Sequence, residues 1–175
     1  MAYITVNTTG TFPALLLTTD VANSNVGSSG NGFLAGNILS VSCLQDITVT
    51  NSTGIFSWTD FCSASINKVT TPSDNEISTN IVIDDEKFFG DSAATANTAP
   101  NYGVSGLSQN RVKVAFRVQL NNSANVGNTV PANTFYYSGV GFLSSVAPTV
   151  SPDSPVWVSP LTLAVTGDMG SGPKI

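Results

Sequence analysis

Carboxylates are the side chains here whose clustering could do chemistry. Six of the eleven acids, Asp74, Glu76, Asp84, Asp85, Glu86 and Asp91, fall within one stretch of the chain. Calcium takes six to eight oxygen ligands, and Asp84, Asp85, Glu86 and Asp91 could supply several of them. Their spacing does not follow an EF-hand loop, and adjacent acids point in different directions. Acids are also stabilised by the positive end of a helix dipole. Asp84-Asp85-Glu86-Lys87-Phe88-Phe89 therefore reads more simply as a solvated segment that opens a helix, and no metal or cofactor is expected.

The other catalytic inventories are thin. The chain has no histidine, which removes Ser-His-Asp, Cys-His and imidazole-zinc chemistry together. Cys43 and Cys62 stand in apolar surroundings of the sequence and read as unpaired, buried thiols. A glycosidase carboxylate pair is set by space rather than by spacing. Such sites also need aromatic platforms, and Trp58 and Trp157 are the two tryptophans. Sequon matches at Asn7, Asn51 and Asn121 are what chance gives in so Asn-, Ser- and Thr-rich a chain. No enzyme is expected.

Bases are few. Six Lys and Arg against eleven acids give a net charge of -5, and stable nucleic-acid binding needs the opposite balance. Half of the bases lie in one row, Arg111, Lys113 and Arg117. Taken as the polar face of a strand, this row predicts charge contacts with an acidic partner rather than with phosphate. Asp84, Asp85, Glu86 and Asp91 of the same or a neighbouring subunit are the expected partners.

The elements that must position these residues are read from period two. Val112, Val114, Phe116, Val118 and Leu120 alternate with Arg111, Lys113, Ala115, Arg117 and Gln119, which predicts a strand buried on its first face. Residues 39–50 read as one long strand, or as two sharing a kink near Gln45-Asp46. Ile77, Thr79, Ile81 and Ile83 mark another, residues 135–143 and 156–165 two more, and residues 3–7 and 12–18 short opening strands. Asn51-Ser52-Thr53-Gly54 looks like a hairpin turn before Ile55-Phe56-Ser57-Trp58, with Gly54 at positive φ. Pro148, Pro152, Pro155 and Pro160 predict an irregular connection or edge over residues 146–160.

Composition agrees with such a chain. Of 175 residues only 10% are charged, against about a quarter in an average domain, while Ser, Thr and Asn make up about a third. At this length one domain is expected, residues 1–175: two β-sheets packed as a sandwich or barrel, all-β with at most one short helix. No apolar run approaches the roughly 18 residues of a membrane span. The first twenty residues lack a basic start and carry Asp20, so export by a signal peptide is not expected.

In its order of elements the chain resembles the tail tube proteins of tailed bacteriophages. The resemblance rests on the strand of residues 39–50, the hairpin into Ile55-Phe56-Ser57-Trp58-Thr59, and a loop over residues 67–80 leading to Ile81-Val82-Ile83. An acidic helix candidate, the strand of residues 111–120 and a last strand ending Leu163-Ala164-Val165-Thr166-Gly167 follow. It implies a virion structural protein, assembled in the host cytoplasm. Hexameric rings would stack on one another and on other virion proteins, and DNA would pass transiently through the bore. A capsid decoration protein and a carbohydrate-binding β-sandwich using Trp58 or Trp157 are the alternatives.

Overall fold

Period-two alternation becomes a nine-stranded antiparallel sheet in the computed structural model, which describes residues 14–23, 33, 37–41, 44–59, 65–91, 97–120 and 135–173. The strands are β1 (Ala14–Thr18), β2 (Ile38–Val41), β3 (Leu44–Thr59), β4 (Ile66–Val82), β5 (Val114–Gln119), β6 (Phe135–Val146), β7 (Thr149–Ser151), β8 (Ser154–Val165) and β9 (Gly170–Pro173). Between β4 and β5 come α1 (Asp85–Phe89) and α2 (Ala99–Gln109). The hydrogen-bonded order is β2-β1-β5-β6-β8-β4-β3, with β7 on β8 and β9 on β6. Cys43, Cys62 and the strand expected over residues 3–7 lie outside the described residues.

The chain is all-β with short helices, as its alternation predicts, but the layers are joined. Strand β6 pairs with β5 through residues 136–141 and with β8 through residues 141–146. One twelve-residue strand thus carries the ladder from one half of the sheet to the other without a break. Leu15, Leu17, Leu39 and Val41 from one end join Ile77, Ile81, Leu161 and Leu163 from the other in a single core. That core is sandwich-like although the hydrogen bonding is continuous.

Several local readings change. Residues 39–50 are two strands that go to opposite edges of the sheet, β2 beside β1 and β3 beside β4. A register shift between Leu44 and Asp46 marks the expected kink. There the Asp46 carboxylate accepts from Asn80 N at 2.8 Å and from Asn80 Nδ2 at 3.0 Å, and the Asp46 carbonyl accepts from Thr79 Oγ1. The turn expected at residues 51–54 is absent, because β3 runs straight through it. A bulge between Thr53 and Ile55 absorbs Gly54, which does not take a positive φ. Residues 67–80, expected as a loop, belong to β4, and the chain reverses between Thr59 and Ile66. Of the two alternatives for the Pro-rich residues 146–160, the edge is the one found: they hold a β7–β8 hairpin in which β7, among the described strands, pairs with β8 alone. Proline is tolerated there because Pro152 sits in the hairpin turn and β7 pairs on one side only, so a missing N–H need not leave a ladder bond unmade.

A second helix was not legible. Helix α1 opens as predicted, with Asp84 at the N-cap accepting from Lys87 N at 2.6 Å, and stops at Gly90, φ 88°. Helix α2 is written in poor helix formers and is kinked at Gly103, φ 61°. It starts with Pro100 in its first turn and buries Ala99, Val104 and Leu107. Gly90 and Gly103 lie backbone to backbone, with no room for a Cβ on either. That contact lets the two helices pack closely and cover one side of the core.

Candidate functional site

The acidic segment is built into α1 and its flanks. Asp84 caps the helix and holds Lys87 Nζ at 3.6 Å, while Asp85 and Glu86 occupy its first turn and are exposed. Asp91 follows Gly90 and is exposed too, its backbone N donating to Pro100 O at 3.0 Å. Asp85, Glu86, Gly90 and Asp91 border one shallow depression. Among the described residues no group of three or more His, Cys, Asp or Glu side chains is placed to hold a metal ion.

The basic residues do not form a row. Arg111 sits in the turn after α2 at φ 52°, and Lys113 precedes β5; both are exposed. Arg117 is 0% exposed, with its guanidinium 4.6 Å from the centre of the Phe33 ring. The expectation that Arg117 projects into solvent is therefore corrected. Strand β5 lies in mid-sheet with both faces covered. Val114, Phe116 and Val118 face the main core, while Ala115 packs with Leu16 and Phe33 on the other side. Alternation of polar and apolar residues suggested one wet face, whereas Arg117 and Gln119 are both buried. Burial lowers the Arg117 pKa to about 10, with the nearby Tyr136 raising it. Arg117 thus keeps its charge at neutral pH.

Two exposed apolar surfaces went unread in the sequence. The first is the outer part of the β3–β4 hairpin. Strand β8 supports β4 from Glu76 to Val82, and among the described strands the remainder of β4 pairs with β3 alone. Asn75, at the root, donates from Nδ2 to Gly167 O at 3.3 Å. From there to Ile66 the arm reaches about 30 Å, at about 3.3 Å per residue. Its tip is apolar on one face and mixed on the other. Phe56 and Trp58 stack at 5.9 Å on one face with Val69, and on the other Ile55 and Ile66 lie to either side of Ser57 and Lys68. Phe56 is 57% and Ile66 64% exposed. Their run was visible in the sequence, but nothing there said that no third strand would cover it.

The second surface is a cleft of about 480 Å³ between the helices and the β6–β8 end of the sheet. Phe88 and Ile83 line its buried side, and Phe89, Trp157, Val146 and Pro148 its mouth. Trp157 shares the face of Leu161 and Leu163, as its parity predicts, but lies beyond the edge of the core and is 52% exposed. Trp58 and Trp157 thus stand on different surfaces, one on the projection and one at the cleft. Strand β3, sixteen residues long, is at one end of the described sheet order. No helix of the described chain is long and apolar enough to cross a membrane.

No family model and no curated protein matches the sequence. Solved structures do match in fold. A chain of the virion of a native gene transfer agent particle is similar at TM-score 0.53 and 12% identity, over 90% of this chain and 95% of that one. A chain from the tail of an empty gene transfer agent particle, of C6 symmetry, gives 0.54 and 11% over the same shares. The SPP1 tail tube protein gives 0.56 and 9%, over 98% of this chain and 81% of its own. The fold is that of a phage tail tube protein, in agreement with the resemblance read from the order of elements.

Proposed function

We propose that this chain is a virion structural protein, a tail tube subunit. Its copies form six-membered rings, by analogy with the C6 tail it resembles, and the rings stack into a channel for DNA. It works in the virion, beside other virion proteins, and has no catalytic role. The observation that carries this reading is the shared fold, which extends over 90% or more of the chain in each comparison.

Physical features support it. A long end strand and an apolar arm are surfaces that a lone β-protein would have to guard with charge. The solvent side of the β3–β4–β8 region carries Thr48, Thr50, Ser78, Asn80 and Thr162, with the acids Asp46 and Glu76. The sequences of β3, β4, β6 and β8 contain one base, Lys68, which is out on the arm. A wall of hydroxyls and amides holds no counterion-releasing cations and would let phosphate slide past. Among the charged residues expected at contacts between copies, Arg111, Lys113, Asp85, Glu86 and Asp91 are exposed and stay in that role. Arg117 does not.

Negative-stain electron microscopy of the purified protein tests the proposal. Six-fold rings and stacked tubes are the expected result. Trimers would instead mark a capsid decoration protein, and monomers at every concentration would remove both virion readings.

A further inference from the structure

We propose that the arm tip of one copy inserts into the Phe89/Trp157 cleft of another, with Lys68 engaging the acids of α1; this rests on the self-assembly reading above. Shape argues for insertion. The tip presents Phe56, Trp58 and Val69 on one face, while on the other Ile55 and Ile66 flank the Ser57–Lys68 pair, so a two-walled site would cover the apolar face and give the cation a wall of its own. The cleft of about 480 Å³ is in the size range that buries a compact ligand, with room for about two large side chains. Its mouth is aromatic, and stacked or edge-to-face contacts between Phe56, Trp58, Phe89 and Trp157 would add to area burial.

Charge selects the same occupant. The arm carries Lys68, opposite Ser57 in the hairpin register. Next to the cleft, on the same helix as Phe88 and Phe89, stand the exposed acids Asp85 and Glu86, followed by Asp91. In a chain of net charge -5 a cation beside an apolar wedge, and acids beside an apolar cleft, are complementary halves. Projection and cleft are different patches of one chain, so the contact is heterologous. Such contacts propagate into rings or into open stacks, which is how a tube grows.

The test uses two surface variants. Phe56→Ser/Trp58→Ser removes the wedge, and Phe89→Ser/Trp157→Ser removes the mouth of the cleft. All four side chains are exposed, so circular dichroism and urea midpoints should stay at the wild-type values. Each variant should raise the concentration needed for tubes by about tenfold or more. Mixed together they should give discrete species joined through one contact, and no tubes. In a Trp157→Phe variant, Trp58 emission should shift to the blue on assembly. Lys68→Glu should weaken assembly and Glu86→Lys should restore it.

Tubes that form normally from the cleft variant, with Trp58 still buried, would overturn the inference and leave the tube reading standing. A Trp58 shift on phosphatidylcholine vesicles, with assembly unaffected by either variant, would assign the arm to lipid and overturn it as well. Wild-type protein that never assembles would sink the tube reading itself.

Discussion

Phe116 and Gly139 are direct partners in the β5–β6 ladder, and the Phe116 ring lies over the glycine. Truncating the fully buried ring in Phe116→Ala should cost about 3–5 kcal/mol, the transfer loss plus the cavity. The opposite change, Gly139→Ala, would set a Cβ 2.9 Å from Phe116 Cζ and 3.0 Å from Cε1. Carbon atoms prefer about 3.5–4.0 Å, so the ring must move by about half an ångström in a packed core. That overpacking costs about 1–3 kcal/mol, offset by about 0.4–1 kcal/mol from a stiffer unfolded chain. With the ring already gone, the added methyl meets Val165 Cγ1 at an ordinary 3.6 Å, and the second substitution becomes neutral or mildly stabilising. The two changes should therefore couple by about 1–3 kcal/mol. Urea unfolding at low concentration measures the four corners, with far-ultraviolet circular dichroism and tryptophan fluorescence as independent probes. Additivity to within about 0.5 kcal/mol would refute the Phe116–Gly139 register, and with it the placement of β5 in mid-sheet.

Arg117→Glu should lose about 3–5 kcal/mol, because it puts an unpaired anion in a fully buried site against an aromatic face. Lys113→Glu should stay within about 0.5 kcal/mol; equal, small shifts in urea midpoint would return Arg117 to the surface. Gly103→Ala should unfold or strongly destabilise the protein, having both a positive φ and no space. Gly167→Ala, at φ 81° with open space around it, should cost only about 1–2 kcal/mol of strain, and thermal melts would separate the two. Removing the N-cap in Asp84→Ala should cost about 1 kcal/mol, read as a lower urea midpoint, and an unchanged midpoint would mean the cap adds nothing.

What could be read from the sequence was the part governed by local alternation. Ile77, Ile81, Leu161 and Leu163 follow period two, and all four are buried. Residues 39–41 and 44–50 show the same alternation, yet they sit at opposite edges of the sheet, because alternation describes a strand's faces and says nothing of its neighbours. Arg117 was misread for a related reason. Its position on the polar parity of β5 assumed that one face of the strand meets water, and Phe33, distant in sequence, covers that face. Helix α2 was hidden by its Asn, Gly and Ser content, which tertiary packing against Gly90 overrides. Of the candidate charged residues, those of α1 were found through capping chemistry. The arm was missed because a lack of covering strands leaves no mark on the strand itself.

The sheet topology also biases the order of events during folding. Strands β1 and β5, paired at Leu16 and Arg117, come from distant parts of the chain, so closing the body of the sheet carries a large loop-closure entropy. All-β chains with such non-local pairing fold in about milliseconds to seconds. The β3–β4 hairpin is local, and hairpins of this kind form in about microseconds. Its apolar tip can therefore be presented to other copies, in a hairpin only marginally stable on its own, before the surface that could receive it exists. A newly made subunit passes through an interval in which it can offer a contact but not accept one, and crowded synthesis in that interval favours mispairing of hairpin with hairpin. Dilution or a transient covering partner during synthesis would suppress that route without altering the finished assembly.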